Sequence, residues 1–360
     1  ASGRRGDRES PARLEMRSAS AQHRGMLAAF FGTAFLVFFA LSPLRWVELG
    51  MPWLTLVITF VLIPLLDAAV GRPSPTAQRN GPAFARWIPR LQLPLQAVLL
   101  VQAVLIAPTL DPWQFVLFGL AVGTVTGGLG ITIAHELGHR AAQIDRVIAK
   151  ALLVSVCYGH FFVEHVRGHH VRVATPDDPA SAPRGMNVYR FIVRSVVGSL
   201  LHAWRLEALR LAQSGRGPWH QSNWVLTGSL MSLALMATAA GLGGAPGLLL
   251  FALQAAVAVA LLEIINYIEH YGLQRRRIEG RYEPVRELHS WNADFIVSNW
   301  ILFNLQLHSD HHAHMRRPYE QLCTVHDAPQ LPAGYPAMVV LALVPPLWFA
   351  AMDPRLPVAA

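Results

Sequence analysis

Six apolar runs constrain this chain more than anything else in it: Met26 to Leu44, Met51 to Val70, Leu93 to Leu110, Trp113 to Ala134, Trp224 to Ala240 and Leu248 to Tyr267. Each is near the ~20 residues a helix needs to cross ~30 Å of hydrocarbon. In lipid the backbone must satisfy its polar groups within the segment, so these runs are expected to be helices. Only 14% of the residues are charged and 53% are hydrophobic, against about 25% charged in an average soluble domain. A soluble fold hides that much apolar surface with difficulty. A seventh run, Met338 to Ala351, is broken by Pro345 and Pro346 and is expected at the interface or packed on the cytosolic side. The fold expected is all-α: a polytopic membrane protein of six transmembrane helices with a cytosolic helical cap.

Basic residues set the orientation. Arg4, Arg5, Arg8, Arg13, Arg17 and Arg24 precede the first run, and Arg72, Arg79, Arg86 and Arg90 follow the second. The turns after runs one, three and five hold only Arg45. Both termini, with segments 135–223 and 268–360, are thus expected in the cytoplasm. Residues 1–25 read as a mobile basic tail and 26–360 as one membrane-embedded domain. No cleavable signal is expected, because the first run is long and follows a basic tail. The net charge of +8 needs no nucleic acid; arginine beside anionic lipid accounts for it. Cys157 and Cys323 are too few for a disulfide framework or a rubredoxin-type iron site.

Fifteen of the 16 histidines fall between His135 and His326, most of them in H-E-L-G-H (from His135), H-V-R-G-H-H (from His165) and H-S-D-H-H (from His308). Imidazole is the commonest neutral metal ligand, and these groups offer more ligands than one metal uses. His135 and His139, at i and i+4, share a helix face at the end of the fourth run. Glu136 completes H-E-x-x-H, a zinc-protease signature, but a protease would leave the other clusters unexplained. His165 and His169 repeat the spacing, with His170 about 100° away on an ideal helix. His308, His311 and His312 give i, i+3, i+4. Two spaced pairs, each with an extra neighbour, point to a two-metal centre between helix ends.

The sixth run ends E-I-I-N-Y-I-E-H-Y-G, placing Glu263, Tyr267 and His270 on one face beside Asn266, with Gly272 positioned to close the helix. Glu263 so near hydrocarbon is costly without a partner; a functional role and a water-bound interfacial residue weigh equally. His23, His202, His220 and His326 have no partner at ligand spacing and read as surface or core residues. His160, His289 and His314 lie near the clusters. Ligating imidazoles usually donate their other N–H to a carboxylate or carbonyl. Glu136, Glu164, Glu269, Asp310, Asp177, Asp178 and Asp294 are available acceptors, unranked by spacing. Absent thiolates disfavour structural zinc, and few carboxylates disfavour calcium and magnesium. Fe, Zn, Cu and Ni remain, with iron favoured for redox chemistry on an apolar substrate.

On an ideal helix the His135 face of the fourth run also carries Leu117, Ala121, Thr124 and Gly128. A groove there would admit a hydrocarbon from the bilayer. For Gly119, Gly123 and Gly127, close helix packing is the better reading.

The segments I-P-L-L-D-A (Ile63 to Ala68), H-E-L-G-H-R (His135 to Arg140), the run from Tyr158 to Ser181 ending A-T-P-D-D-P-A-S, N-Y-I-E-H-Y-G-L (Asn266 to Leu273), H-S-W-N (His289 to Asn292) and L-Q-L-H-S-D-H-H-A-H (Leu305 to His314) resemble those of the integral-membrane alkane 1-monooxygenases. The likeness runs from about Ile63 to Pro354. The histidine boxes alone would also fit membrane desaturases and fatty-acyl or xylene hydroxylases; the N-Y-I-E-H-Y-G-L and A-T-P-D-D-P-A-S stretches single out the alkane enzymes. The resemblance implies a multi-pass protein of the bacterial inner membrane that hydroxylates alkane termini with O2 at two non-haem irons. It implies as ligands His135, His139, His165, His169, His170, His270, His308, His311 and His312. It also implies electrons from a rubredoxin, itself reduced by an NADH-dependent reductase, with Arg167, Arg172, Arg316 and Arg317 able to dock an acidic partner. Leu307 departs from the family pattern, which has a basic residue before the third box. The family's chain-length gate on the second helix aligns with Thr59, whose small side chain implies acceptance of chains beyond the shortest liquid alkanes. A metal transporter, the rival from another class, would place ligands near the bilayer midplane rather than at helix ends.

Overall fold

The computed structural model describes residues 32–73 and 83–357; the arginine-rich tail, the start of the first run, His23 and Arg79 lie outside the described residues. Helix α1 spans 32–48 and α2 Leu54–Val70. A π turn, Ile58–Leu62, interrupts α2. Pro64 has no N–H for the carbonyl four residues back and its ring crowds that carbonyl, so the chain takes up an extra residue there. Helix α3 covers Ala85–Thr109 and α4 Pro112–Gly138. Asp111 and Gln114 form a capping box at the start of α4, with Pro112 in the first turn. A second π turn, Thr126–Ile131, divides α4; the Thr126 hydroxyl donates to Gln254 Oε1 at 2.8 Å.

The cap begins with α5 (Gln143–Ser155) and α6, made of Phe161–Glu164, a π turn at His165–His169, and His170–Arg172. Helix α7 is Val188–Ala212. Helix α8, Trp224–His270, has a break at Gly244 (φ +61°) two residues before Pro246. Ser232 before the break and Gln254 after it donate to the adjacent carbonyls of Val154 and Ser155. The halves therefore fold back on each other, and the expected fifth and sixth runs are joined by a kink rather than a loop. A hairpin, β1 (Arg277–Ile278) and β2 (Arg281–Tyr282), is the one sheet among the described residues. Short helices α9 (Ile296–Ile301), α10 (His308–Ala313), α11 (Tyr335–Ala342) and α12 (Pro345–Met352) follow.

By length and composition α3, α4 and α8 can each cross a membrane, and α2 is a shorter apolar helix. Large apolar side chains stay exposed on them, among them Val61, Leu65, Val98, Leu233 and Leu249. A soluble monomer rarely shows so much. The centre of the bundle is set by glycine. A Cβ on Gly123 would sit 2.5 Å from Val257 Cβ and 2.8 Å from the Gln254 carbonyl; one on Gly127 would sit 2.9 Å from Ala258 Cα. The series Gly119, Gly123, Gly127 thus lets α4 lie directly on α8. The run from Met338 to Ala351 forms α11 and α12, packing Met338, Val339 and Trp348 onto Ile264, Tyr267 and Tyr271 at the end of α8. Pro345 begins α12, where its missing N–H costs nothing.

The start of α8 is tied to α7. The Trp224 N–H donates to Glu207 at 2.9 Å, and Arg167 and Arg210 donate to the same carboxylate. Burial would raise the Glu207 pKa, but these hydrogen bonds bring it down to about 2. A carboxylate held below its unfolded value stabilises the fold above that value and loses the contribution as pH falls through the folded one. Glu207→Gln is therefore expected to lower thermal stability at neutral pH, with the gap from the parent closing as pH drops below 4.5 toward about 2. A pH-independent gap in melting temperature would count against this role.

Candidate metal centre

Nine buried or half-buried histidines converge from α4, α6, α8 and α10 into two adjacent groups. One holds His135, His139, His165, His170 and His311; the other holds His169, His270, His308 and His312. Within each, the candidate ligand atoms lie within 4.8 Å of one another. In the first group the Nε2 atoms of His135 and His311 are 2.9 Å apart, those of His139 and His165 2.9 Å, and those of His165 and His170 3.0 Å. In the second, His308 stands 2.9 Å from His312 and 3.3 Å from His270. A metal–imidazole bond of about 2.0–2.1 Å puts neighbouring nitrogens about 2.9 Å apart at right angles and about 3.4 Å at tetrahedral angles. The spacing of the rings is that of a coordination shell, and the residues fit a metal in each group.

The partition differs from the one expected on ideal helices, where His165 and His169 share a face. Here His165 pairs with His170, while His169 turns into the other group. The π turn His165–His169 explains it, since a wider turn brings i and i+5, rather than i and i+4, onto one side. Helix α10 keeps α geometry: His308 and His312 stay together and His311 crosses to the five-membered group.

Of the available acceptors, Asp178 meets a ring. The Nδ1 atom of His169 is 2.9 Å from Asp178 Oδ2, leaving its buried Nε2 without a hydrogen-bond partner and turned to the second group. Ser181 and the Ala180 N–H donate to Asp178. Burial would raise this carboxyl; His169 and those hydrogen bonds lower it below its ordinary value. Asp178 thus selects the tautomer with a free Nε2 lone pair. Asp178→Asn is expected to weaken metal binding about 10- to 100-fold, measurable by chelator competition; unchanged affinity would remove Asp178 from the site. Glu269 Oε2 lies 3.2 Å from His308 Nε2 and its other oxygen accepts from the Tyr335 hydroxyl. Burial, with the His169 ring nearby, lowers His139 to about 3, so it is neutral at neutral pH.

Other candidates lie elsewhere. Glu136 binds Arg140, and Asp310 holds Arg317 and His314. Glu263 accepts from the Tyr158 hydroxyl at 2.7 Å and from Asn266, which answers the cost of burying it. Asp294 is bound to Asn299 and Thr324, and His289 to the Arg286 N–H. His160 stacks edge-on to Tyr158. His202 was missed: it contacts Glu164 at 2.5 Å from 38 residues away, a pairing that no local spacing announces. Burial raises Glu164 to about 8 and lowers His202 to about 4, so near neutral pH they form a largely uncharged pair.

A largely apolar cavity, partly open to the outside, reaches His135, His165 and His308. Thr59, Thr124 and Gly128 line it, with Phe60, Leu261 and Ile265. Leu117 and Ala121 do not. On α4 the cavity reaches no further from His135 than Thr124, and the π turn between breaks the ideal-helix register that would put Leu117 and Ala121 on one face with His135.

The chain matches the fatty acid desaturase family model over residues 111–342. It is 44% identical to alkane 1-monooxygenase 1 of Pseudomonas aeruginosa over 83% of this chain and 81% of that protein. Alkane 1-monooxygenase 2 of the same organism is 43% identical over 84% of each chain. The xylene/toluene monooxygenase hydroxylase component XylM of Pseudomonas putida is 30% identical over 85% of this chain and 81% of its own length.

Proposed function

We propose, for a chain that belongs to the alkane 1-monooxygenases within the fatty acid desaturase family, the terminal hydroxylation of medium- to long-chain n-alkanes. The balanced reaction joins alkane, O2, two electrons and two protons to give a primary alcohol and water. The electrons come from a rubredoxin, reduced by an NADH-dependent reductase. The carrying observation is the cavity: one largely apolar space that reaches His135 and His165 of one histidine group and His308 of the other. Two irons bound by the nine histidines would supply the activation of O2.

The chain's own residues do the rest. Side chains such as Phe60, Ile63, Leu261, Leu305 and Val339 enclose a methylene chain and exclude water. Their arrangement brings one end of that chain beside the histidines, and this positioning is the protein's part in the rate. The protein is read as six spans of the bacterial inner membrane with both termini cytoplasmic. Supporting this are the fold-back of α8, the apolar exteriors of α2, α3 and α8, and the arginines flanking the runs.

Iron analysis with product analysis tests the reading. About two irons per chain, with 1-octanol or 1-hexadecanol formed in the presence of rubredoxin, reductase and NADH, are expected. Alkenes instead of alcohols would make it a desaturase. Turnover confined to methylated aromatics would move it toward the xylene enzyme's chemistry.

A further inference from the structure

A basic pocket beside α7 includes none of the nine clustered histidines. Arg172, Arg194, Arg205, His202, Asp177 and Leu201 stand around a pocket open to the outside. Arg194 is pinned to the wall by donating to the carbonyls of Ser181 and Asp178, each at 3.2 Å. Neither the Arg172 nor the Arg205 guanidinium makes a hydrogen bond or an ion pair among the described residues. Three guanidinium groups line the pocket with one carboxylate, Asp177, while Glu164 and Asp178 lie behind its wall, so the lining itself carries an excess of positive charge that suits an anion.

The helix that carries two of those arginines also has an apolar stripe facing outward. Tyr189, Val193, Val197 and Leu201 recur at i+4 along α7 and are 53%, 65%, 52% and 54% exposed, while Phe191, Ser195, Ser199 and Ala203 are buried against the protein. Leu201 belongs to both the stripe and the pocket rim. Near its start α7 packs Phe191 on Tyr267, close to the end of α8; near its end Glu207 accepts from the Trp224 N–H, at the start of α8. Because α8 folds back at Gly244, its two ends lie on the same side of the bundle. Helix α7 therefore runs along the bundle at one level, where the spanning helices leave the hydrocarbon. Trp204 and the exposed Trp219 pack together near its far end, and tryptophan is favoured at that depth.

We propose that α7 is a membrane-interface helix and that the Arg172–Arg194–Arg205 pocket binds the phosphate of an anionic phospholipid, whose acyl chains run along Val193, Val197 and Leu201. A helix with an apolar stripe and arginines on its flank is the form that lies in an interface. The pocket supplies a fixed phosphate seat where a flat basic surface would supply only diffuse attraction. The inference rests on the membrane reading above, and its test separates the two.

Full-length protein in detergent is incubated with an equimolar mixture of phosphatidylglycerol and phosphatidylcholine and repurified, and the retained lipid is quantified by mass spectrometry. The parent is expected to enrich phosphatidylglycerol. Arg205→Gln should lose about fivefold of that enrichment, the usual worth of one interfacial arginine. Leu201→Asp, on an exposed rim position that the fold does not need, should lose it as well. Excess inorganic phosphate should not displace the lipid. Equal retention of both lipids by the parent, or parent-like enrichment in both variants, would overturn the proposal. Displacement by phosphate would overturn it too, leaving a site for a free anion. Incorporation of the parent into pure phosphatidylcholine vesicles tests the spanning helices alone, since it involves no anionic headgroup.

Discussion

Replacing His312 with alanine is expected to abolish hydroxylation and to leave about one iron per chain, against the about two proposed for the parent. His312 belongs to the four-membered group, its Nε2 2.9 Å from that of His308. Its removal leaves His169, His270 and His308 to hold that metal, while the five rings of the other group are untouched. The loss should therefore be half the metal rather than all of it. Iron content on purified protein and 1-octanol formation from octane measure the two effects separately. A variant that keeps both irons and full turnover would show that the second group is not a metal site. Alanine at a surface histidine such as His220, remote from both groups, is expected to change neither quantity.

Two neighbouring glycines should respond in opposite ways. At Gly128 an added Cβ would have nothing nearer than Leu261 Cδ2 at 4.0 Å, and the position lines the cavity. Gly128→Phe is expected to fold, keep its iron, and lose turnover of long alkanes, because the ring occupies the space a methylene chain would need. At Gly127 even a methyl group would meet Ala258 Cα at 2.9 Å and its carbonyl at 3.1 Å. That backbone cannot swing aside as a side chain could. Gly127→Ala is therefore expected to cost about 1–3 kcal/mol of stability, seen as a lower melting temperature. Turnover per folded molecule should be less affected than in Gly128→Phe. Equal stability of Gly127→Ala and the parent would mean that α4 and α8 do not rest on these glycines.

Hydropathy alone located the apolar helices, because a backbone in lipid has so few alternatives. It placed the third, fourth, fifth and sixth runs within helices that are there, although α8 joins the last two through Gly244 and Pro246 with no true loop. The packing role of Gly119, Gly123 and Gly127 was also legible, since spacing and size suffice for it. Candidate ligands were legible for a similar reason: short histidine spacings survive any fold that makes helices. The choice of Asp178 as partner to His169, and of Glu164 as partner to His202, was not. The first depends on the path of the loop after α6, which spacing does not give, and the second on how α6 and α7 pack.

What the sequence determined by itself is thus the apolar, helical character of the fold and the set of candidate metal ligands, because both depend on residue type and short-range periodicity. What only the tertiary structure decided is how nine rings divide into five and four, and which side of α4 faces the cavity. The π turns at His165–His169 and Thr126–Ile131 bear on both outcomes, with the ordinary helical turn of α10 sending His311 to the larger group. One extra residue in a turn costs little locally, yet it rotates everything beyond it, and the packing of α4 and α6 against their neighbours selects where that residue goes.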